Sequence, residues 1–207
     1  MNEKTVYNTL QDHQKNETWE LQSCFKVFLE WAEIYNSEFD LKIPEISLSV
    51  ANLKRSCFGH FHPGHNGFGL RKEIAINRIY LKDREFWTVL GTLLHELLHA
   101  WQEEYGKPGK ANYHNKQFRR KAEGLGLIVD HRGVTEYEKN EEKSPFLQVL
   151  KKYGVSVPNL PESTHKKERG FSKMKKWECA CPVKIRVAVS HFNAKCMNCG
   201  EIFKKVE

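Results

Sequence analysis

The stretch His-Glu-Leu-Leu-His at residues 95–99 decides the fold, because it places two imidazoles four residues apart with a carboxylate between them. An α-helix turns once every 3.6 residues, so His95 and His99 project from the same helical face and can bind one metal ion. Glu96 is turned so that its carboxylate can reach a water molecule on that metal. The stretch therefore predicts a helix that carries a metal site and a general base.

The sequence around this stretch predicts a helix on independent grounds. Apolar residues recur at steps of three and four between about Asp83 and Tyr105, the pattern of a helix that buries one face. Asp83 can serve as the N-cap, and Gly106 followed by Pro108 ends the helix. This context favours the active helix of a zinc peptidase over a chance five-residue match on a structural helix.

Further helices and strands are expected before this helix. A dense apolar stripe from about Asn16 to Phe39 predicts a core helix, and short strands are expected at 46–50, 53–58 and 73–77. These elements predict an α+β fold in which a small antiparallel or mixed sheet packs with helices. The helix that carries residues 95–99 would lie across the sheet, in a zincin-like arrangement.

A catalytic zinc ion needs a third protein ligand and an open position for water. We favour His114 as this ligand, because it follows the break at 106–109, where the chain can turn back, and stands at the start of a new helix. The alternative is Glu123, a carboxylate on that later helix.

Three histidines stand close together at residues 60, 62 and 65, among Gly, Pro and Asn residues that predict a loop. We favour a loop that lines the substrate site over a second metal site, because histidines in loops are usually solvated. The group that assists the oxyanion is left open, and its candidates are Tyr113, His131 and this cluster of His60, His62 and His65.

Four of the six cysteines form two close pairs near the C-terminus, with apolar residues alternating between the pairs. No secretory signal is expected, so the pairs indicate zinc ligands rather than disulfides. Four thiolates complete a tetrahedron, so this second zinc would be structural, in a small β zinc ribbon. The expected ligands are Cys179, Cys181, Cys196 and Cys199, and the short spacing of the first pair leaves His191 as an alternative ligand. Cys24 and Cys57 stand alone in apolar company and are expected to be buried.

The net charge of +7 is concentrated in the last third of the chain. Residues 1–138 hold 18 Lys and Arg against 19 Asp and Glu, whereas residues 139–207 hold 15 against 7. Such an excess attracts polyanions, nucleic acid first and acidic membrane surfaces second, although a solubilising tail is the alternative. The candidate nucleic-acid contacts are Lys173, Lys175, Lys176, Lys184 and Arg186.

Aromatic residues lie among these cations, notably Trp177 and Phe192. Cations beside aromatic faces favour single-stranded nucleic acid, whose bases can stack while the phosphates are neutralised. The alternative is that both rings fill the core of the ribbon itself.

Length and composition predict one domain of ordinary size and a small appendage in a chain of 207 residues. The expected parts are a catalytic domain at 1–138, a short helix and basic linker at 139–173, and the ribbon at 174–207. No apolar run reaches membrane-spanning length and the N-terminus is polar, so we expect no membrane partner and a cytoplasmic location, with nucleoid association in a bacterium.

The sequence His-Glu-Leu-Leu-His-Ala-Trp at 95–101, His114 with Phe118 four residues on, and the terminal cysteine ribbon together resemble the SprT-like metalloprotease family. Its eukaryotic relatives are the Spartan DNA–protein crosslink proteases. Residues 59–63 and 73–77 resemble the two strands that precede the active helix in that family. Here the third histidine sits between Tyr and Asn, where the family usually has glycines.

This resemblance implies a zinc-dependent endopeptidase of low sequence specificity, associated in many members with DNA and restrained until a substrate is near. It would use one catalytic and one structural Zn²⁺, with Glu96 as the base that activates water, to cut DNA-bound or DNA-crosslinked proteins. The alternatives are a nucleic-acid-binding or regulatory protein with a non-catalytic metal site, and a peptidase for one dedicated partner. An intact Glu96 favours an enzyme, since a scaffold needs no carboxylate there.

Overall fold

The computed structural model describes residues 5–160 and 174–206, and the chain divides into two compact units, Met1–Pro161 and Glu162–Glu207. The first unit is a mixture of helices and short strands, which confirms the predicted α+β class. Its helices are α1 (Val6–Asn16), α2 (Gln22–Glu38), α3 (Tyr80–Asp83), α4 (Phe86–Tyr105), α5 (Lys116–Glu123) and α6 (Pro145–Tyr153). Its strands are β1 (Ser47–Ala51), β2 (Gly59–His65), β3 (Arg71–Asn77), β4 (Leu127–Val129) and β5 (Thr135–Tyr137).

The main sheet of the first unit is mixed and has the order β1-β3-β2. Strand β1 runs parallel to β3, with Ser47 opposite Glu73, and β2 runs antiparallel to β3, with Phe61 opposite Ile74. The two short strands β4 and β5 form a separate antiparallel pair. The mixed sheet is one of the two forms that the sequence predicted.

The strand predicted at 53–58 is wrong, and so is the loop that the composition predicted around the three histidines. The strand that the family resemblance implied at 59–63 is confirmed. Residues before Gly59 form turns, in which the Asn77 side-chain amide donates to the carbonyls of Lys54 and Cys57 at 3.1 and 2.6 Å. The strand begins only at Gly59 and continues through the histidines as β2. Pro63 is tolerated there because β2 is an edge strand and its register shifts between His62 and His65.

Helix α4 forms the centre of the core and contacts α2, β2 and β3. It begins after Glu85, which makes no side-chain cap, so the N-cap predicted at Asp83 is wrong. Asp83 instead ends α3, a separate helical turn, and Arg84 is extended between the two helices. The predicted stop is confirmed, since Gly106 is the C-cap of α4.

Helix α6 packs into the same core, so the first unit continues past residue 138. Its N-cap Ser144 accepts a hydrogen bond from the Leu147 backbone N–H, and Pro145 occupies the first turn, where its missing N–H costs nothing. Phe146 is fully buried and stacks on Tyr137 of β5 with 5.4 Å between ring centroids. This helix therefore holds β5 against α4.

Truncating a core residue of α4 should destabilise the first unit strongly. Leu94 is 0 % exposed, so Leu94→Ala removes buried methyl groups and leaves a cavity, which costs about 2–5 kcal/mol in the free energy of unfolding. Denaturant unfolding followed by circular dichroism measures this change. Ile128→Ala is the matched control, because Ile128 is 48 % exposed on β4, and it should cost about 1 kcal/mol or less.

The second unit is a small antiparallel sheet with the order β7-β6-β8. Its strands are β6 (Lys175–Glu178), β7 (Lys184–Val187) and β8 (Lys204–Lys205). Trp177, Cys196 and Phe203 form a core too small to fold on burial alone. Among the helices of residues 5–160 and 174–206, none has the length and apolar character needed to cross a bilayer.

Candidate metal centre

Three imidazoles converge at one point of the first unit. His95 and His99 lie on one face of α4, and His114 comes from the segment just before α5. The Nε2 atom of His114 lies 2.9 Å from Nε2 of His95 and 3.1 Å from Nε2 of His99. Nitrogens that share a tetrahedral zinc ion stand roughly 3.3 Å apart, given a zinc–nitrogen distance of about 2.0–2.1 Å. The structure thus brings the three predicted histidines together with the spacing of metal ligands.

Burial keeps these imidazoles neutral at physiological pH. Burial, helped by the neighbouring imidazoles, lowers the pKa of His95 to about 3 and that of His99 to about 2. Burial also lowers the pKa of His114. Because a metal binds the neutral form of histidine, this environment prepares all three side chains as ligands.

Glu123, the alternative third ligand, is exposed at the last residue of α5 and is outside the histidine group. The side chain that packs against the histidines from α5 is Phe118, whose ring lies 4.2 Å from the His99 ring and 4.9 Å from the His114 ring. Phe118 therefore supports the rings of His99 and His114 from the side of α5.

A threonine hydroxyl determines which nitrogen of His95 faces the cluster. Thr135 Oγ1 lies 3.1 Å from His95 Nδ1 and donates to the Gly133 carbonyl at 3.2 Å. With its proton directed at Gly133, the hydroxyl accepts the Nδ1–H of His95. The lone pair of His95 is then on Nε2, where the other two imidazoles converge. No sequence motif marks Thr135, which comes 40 residues after His95.

Replacing this hydroxyl should weaken zinc binding without removing a ligand. We expect Thr135→Val to lower zinc affinity by about 10–100-fold, because the ring of His95 loses the partner that fixes its orientation and tautomer. Competition with a fluorescent zinc chelator measures the affinity. Thr135→Ser, which keeps the hydroxyl, should bind zinc as the parent does; equal loss in both variants would contradict this role.

A hydrogen-bond network places His114 over α4. Asn115 is the N-cap of α5 and accepts from the buried Gln102 of α4 at 2.9 Å, while its own amide donates to the Lys107 carbonyl at 2.8 Å. Gly133 approaches His114 from the other side. A Cβ at Gly133 would come within 2.5 Å of the imidazole, and its φ of +88° also favours glycine.

Glu96 is buried beside the histidines, between α4 and β2. A Cβ at Gly59 would meet the Glu96 carboxylate at 2.9 Å, so only glycine allows the strand this close. The Phe61 backbone N–H donates to the carboxylate. Burial raises the pKa of Glu96 to about 8, which suits a group that takes up and returns a proton near neutral pH.

The histidines and Glu96 open into a cavity of about 360 Å³. Among the candidates for oxyanion assistance, His60 lines this cavity, whereas Tyr113, His131, His62 and His65 do not. Two side chains that sequence reasoning did not select, Arg84 and Tyr137, line it as well. The other described lining residues are Ser56, Cys57, Phe58, Gly59, Thr92, Ala111, Asn112, Arg132, Gly133, Val134 and Thr135.

The two cysteines outside the ribbon differ in their surroundings. Cys24 is fully buried, as predicted, and burial raises its pKa to about 12. Cys57 is only half-buried, which corrects the prediction, since its thiol lies at the cavity and donates to the Gly59 carbonyl at 2.7 Å.

The four cysteines of the second unit form another group with metal-ligand spacing. Cys181 Sγ lies 3.2 Å from Cys179 Sγ and 3.6 Å from Cys196 Sγ, close to the roughly 3.8 Å expected around a shared zinc ion. Backbone N–H donors from Cys199 and Asn198 lower the pKa of Cys196 to about 6 and so favour the thiolate. His191, the alternative ligand, is exposed and outside this group.

The predicted nucleic-acid contacts fall mainly on the ribbon sheet. Lys176 and Lys184 both pair with Glu178, and Lys175 donates to Ser190. Arg186 is exposed on β7, and Lys173 lies outside the described residues.

Of the two candidate stacking residues of the ribbon, Trp177 is buried in the core and Phe192 is half-buried. Trp177 is only 8 % exposed, and Phe192 packs on it with 5.6 Å between ring centroids. This geometry favours the core interpretation of Trp177 over a surface on which bases stack.

Two comparisons with known proteins bear on these sites. The model of the SprT-like family matches residues 24–138, a range that contains all three histidines and Glu96. The comparison with curated proteins produced no match.

Proposed function

The chain belongs to the SprT-like family, and on that premise we propose that it is a zinc-dependent endopeptidase that cuts proteins bound or crosslinked to DNA. The observation that carries the proposal is the convergence of three neutral imidazoles beside a buried carboxylate, at the wall of an open cavity. Family membership supports a metallopeptidase-like activity, while the DNA-linked substrate is the part that we add.

The histidine group fits zinc by the chemistry of its donors. His95, His99 and His114 would hold the ion, and the cavity leaves its remaining side accessible to substrate and water. When bound, zinc would lower the pKa of water to roughly 7 and polarise the scissile carbonyl. The position of α4 against the edge strand β2 is consistent with the zincin-like arrangement that we propose.

The residues of the chain supply the proton transfers. Glu96 would accept a proton from the attacking water at its carboxylate and return it to the nitrogen of the leaving amine. Phe61 holds the carboxylate through its backbone N–H, and Gly59 leaves the space in which it sits. A positive charge in the histidine group would favour the carboxylate form of Glu96, since an opposite charge lowers the pKa of an acid.

The cysteine ribbon would bring the peptidase to DNA. Four cations and one carboxylate lie on the same face of its sheet, because Lys176 is opposite Arg186, and Glu178 is opposite Lys184 and Lys204. A face with this excess of positive charge attracts a phosphate backbone. Because Trp177 is in the core, the charge of the ribbon rather than base stacking supports DNA as the partner. Our preference for single-stranded DNA rests on the half-buried Phe192 alone.

Proteolysis is tested on an unstructured protein such as casein in the presence of single-stranded DNA, with the chain stripped of metal and then reloaded. We expect cleavage to appear with zinc and to disappear with a chelator. A chain that binds two zinc ions and cleaves nothing under these conditions would favour the non-catalytic, nucleic-acid-binding alternative.

The DNA partner is tested by fluorescence anisotropy with single- and double-stranded oligonucleotides over a range of salt. Replacing Lys176, Lys184 and Arg186 together by Ala should weaken binding. It should also reduce the slope of log K against log salt concentration, by about 0.7–0.9 for each phosphate that the chain no longer neutralises. Replacing Lys82, Lys107 and Lys110 of the first unit removes the same charge and should change neither quantity. Equal effects of the two triple variants would contradict a specific ribbon face.

A further inference from the structure

Arg84 lies in the cavity near Glu96 and has no part in the proton transfers proposed above. Its side chain is half-buried, and Nη1 donates to the Thr92 hydroxyl at 3.3 Å. Thr92 stands one turn before Glu96 on α4, and a Cβ at Gly59 would contact both side chains. The guanidinium therefore lies beside the helical turn that precedes the proposed base, at the wall of the same cavity.

Two aromatic residues hold the guanidinium in place. Its Cζ atom lies 4.1 Å from the centroid of the Phe58 ring. It also hydrogen bonds to Tyr137, whose hydroxyl donates to the Thr88 carbonyl at 3.2 Å. A guanidinium stacked on a ring face keeps its edge N–H groups free for other partners. Arg84 is thus fixed in position while part of its hydrogen-bonding capacity is unused.

Arg84 has no counter-ion in the part of the chain that the structure describes. The other guanidinium at the cavity, that of Arg132, pairs with Asp130 at 3.3 Å. A half-buried cation loses hydration, and here no carboxylate of residues 5–160 or 174–206 lies within ion-pair distance to compensate for that loss. An anion brought by a ligand would complete the arrangement.

We propose that Arg84 is a substrate subsite that binds the carboxylate of a Glu or Asp side chain in the polypeptide being cleaved. The planar guanidinium can donate two parallel hydrogen bonds to a carboxylate. An extended chain advances about 3.3–3.6 Å per residue, so an acidic residue one or two positions from the scissile bond can reach Arg84. This inference rests on the proposed peptidase function and adds a preference to it.

A DNA phosphate is a weaker fit to this position. The same cavity contains the Glu96 carboxylate, which repels a continuous phosphate backbone, whereas a polypeptide brings a single carboxylate and otherwise neutral amides. The peptide is therefore the occupant that the local charges favour.

Binding to an inactive chain tests the subsite without any need for turnover. The probe is a set of nine-residue peptides in which a single Glu is moved along an otherwise constant sequence, each with a Gln twin. Isothermal titration calorimetry on zinc-loaded Glu96→Gln protein should give about tenfold tighter binding of the Glu peptide at one or two positions. Adding Arg84→Met should abolish this difference, and adding Arg132→Met should preserve it.

Other outcomes separate this inference from the proposed function. An unchanged Glu preference after Arg84→Met, or no preference at any position, would overturn the subsite, and circular dichroism verifies that the variant is folded. Arg84→Lys should keep part of the preference, because it retains the charge without the planar fork. A Glu preference that depends on Arg84, in a chain that cleaves no peptide, would refute the peptidase and leave the carboxylate site standing. An oligonucleotide whose binding requires Arg84 would assign the site to phosphate and overturn the proposal.

Discussion

Glu96→Gln is expected to reduce peptide hydrolysis by about 10²–10⁴-fold while zinc remains bound, because the amide cannot take a proton from water and return it to the leaving amine. Gln has nearly the size of Glu, so it fits the space left by Gly59 and keeps an oxygen for the Phe61 N–H. The loss should therefore appear in kcat, with little change in substrate binding. Stopped assays on a fluorogenic peptide with single-stranded DNA present, with zinc content measured on the same samples, give both quantities.

Glu103→Gln is the matched control for this prediction. Glu103 lies on the same helix, one turn beyond His99, and does not line the cavity. The control should retain full activity. Undiminished hydrolysis by Glu96→Gln would show that another group acts as the base.

His99→Ala is expected to reduce the zinc content from two ions per chain to one. The His99 ring is buried and stacked on Phe118, and its Nε2 lies 3.1 Å from that of His114, so its removal opens the ligand set. A site with two histidines binds zinc more weakly than a site with three, so a weak chelator removes the ion from it. Elemental analysis after dialysis against a weak chelator measures the content.

Two further variants show which ion has been lost. His60→Ala, which removes an exposed imidazole at the same cavity, should keep both ions. Cys196→Ser should lose the other ion and unfold the ribbon, whose core is too small to stand without metal. Two ions retained by His99→Ala would mean that the histidine group is not a zinc site.

The sequence predicted the active helix because the signal was local. Apolar residues at helical spacing gave its extent, and the histidine spacing gave the shared face. His114 required a longer inference, that the chain turns back after Gly106, and the structure brings it to the other two imidazoles.

Other features depend on contacts that no local pattern records. The three histidines of β2 stand among turn-forming residues and so predicted a loop, but pairing with β3 makes them a strand. Thr135 and Arg84 reach the cavity through elements that meet only in the folded chain. In the ribbon, the cations and Trp177 were visible in the sequence, but only the fold shows that the ring is internal.

The most direct test of the proposed function is cleavage of a basic DNA-binding protein by the zinc-loaded chain, with and without single-stranded DNA, comparing the parent with Glu96→Gln. The proposed function predicts that the parent cuts efficiently only when DNA is present and that Glu96→Gln does not cut. Cleavage that is independent of DNA would remove the DNA-directed part of the proposal. DNA binding without any cleavage that depends on Glu96 would contradict the central claim that this chain is a DNA-directed peptidase.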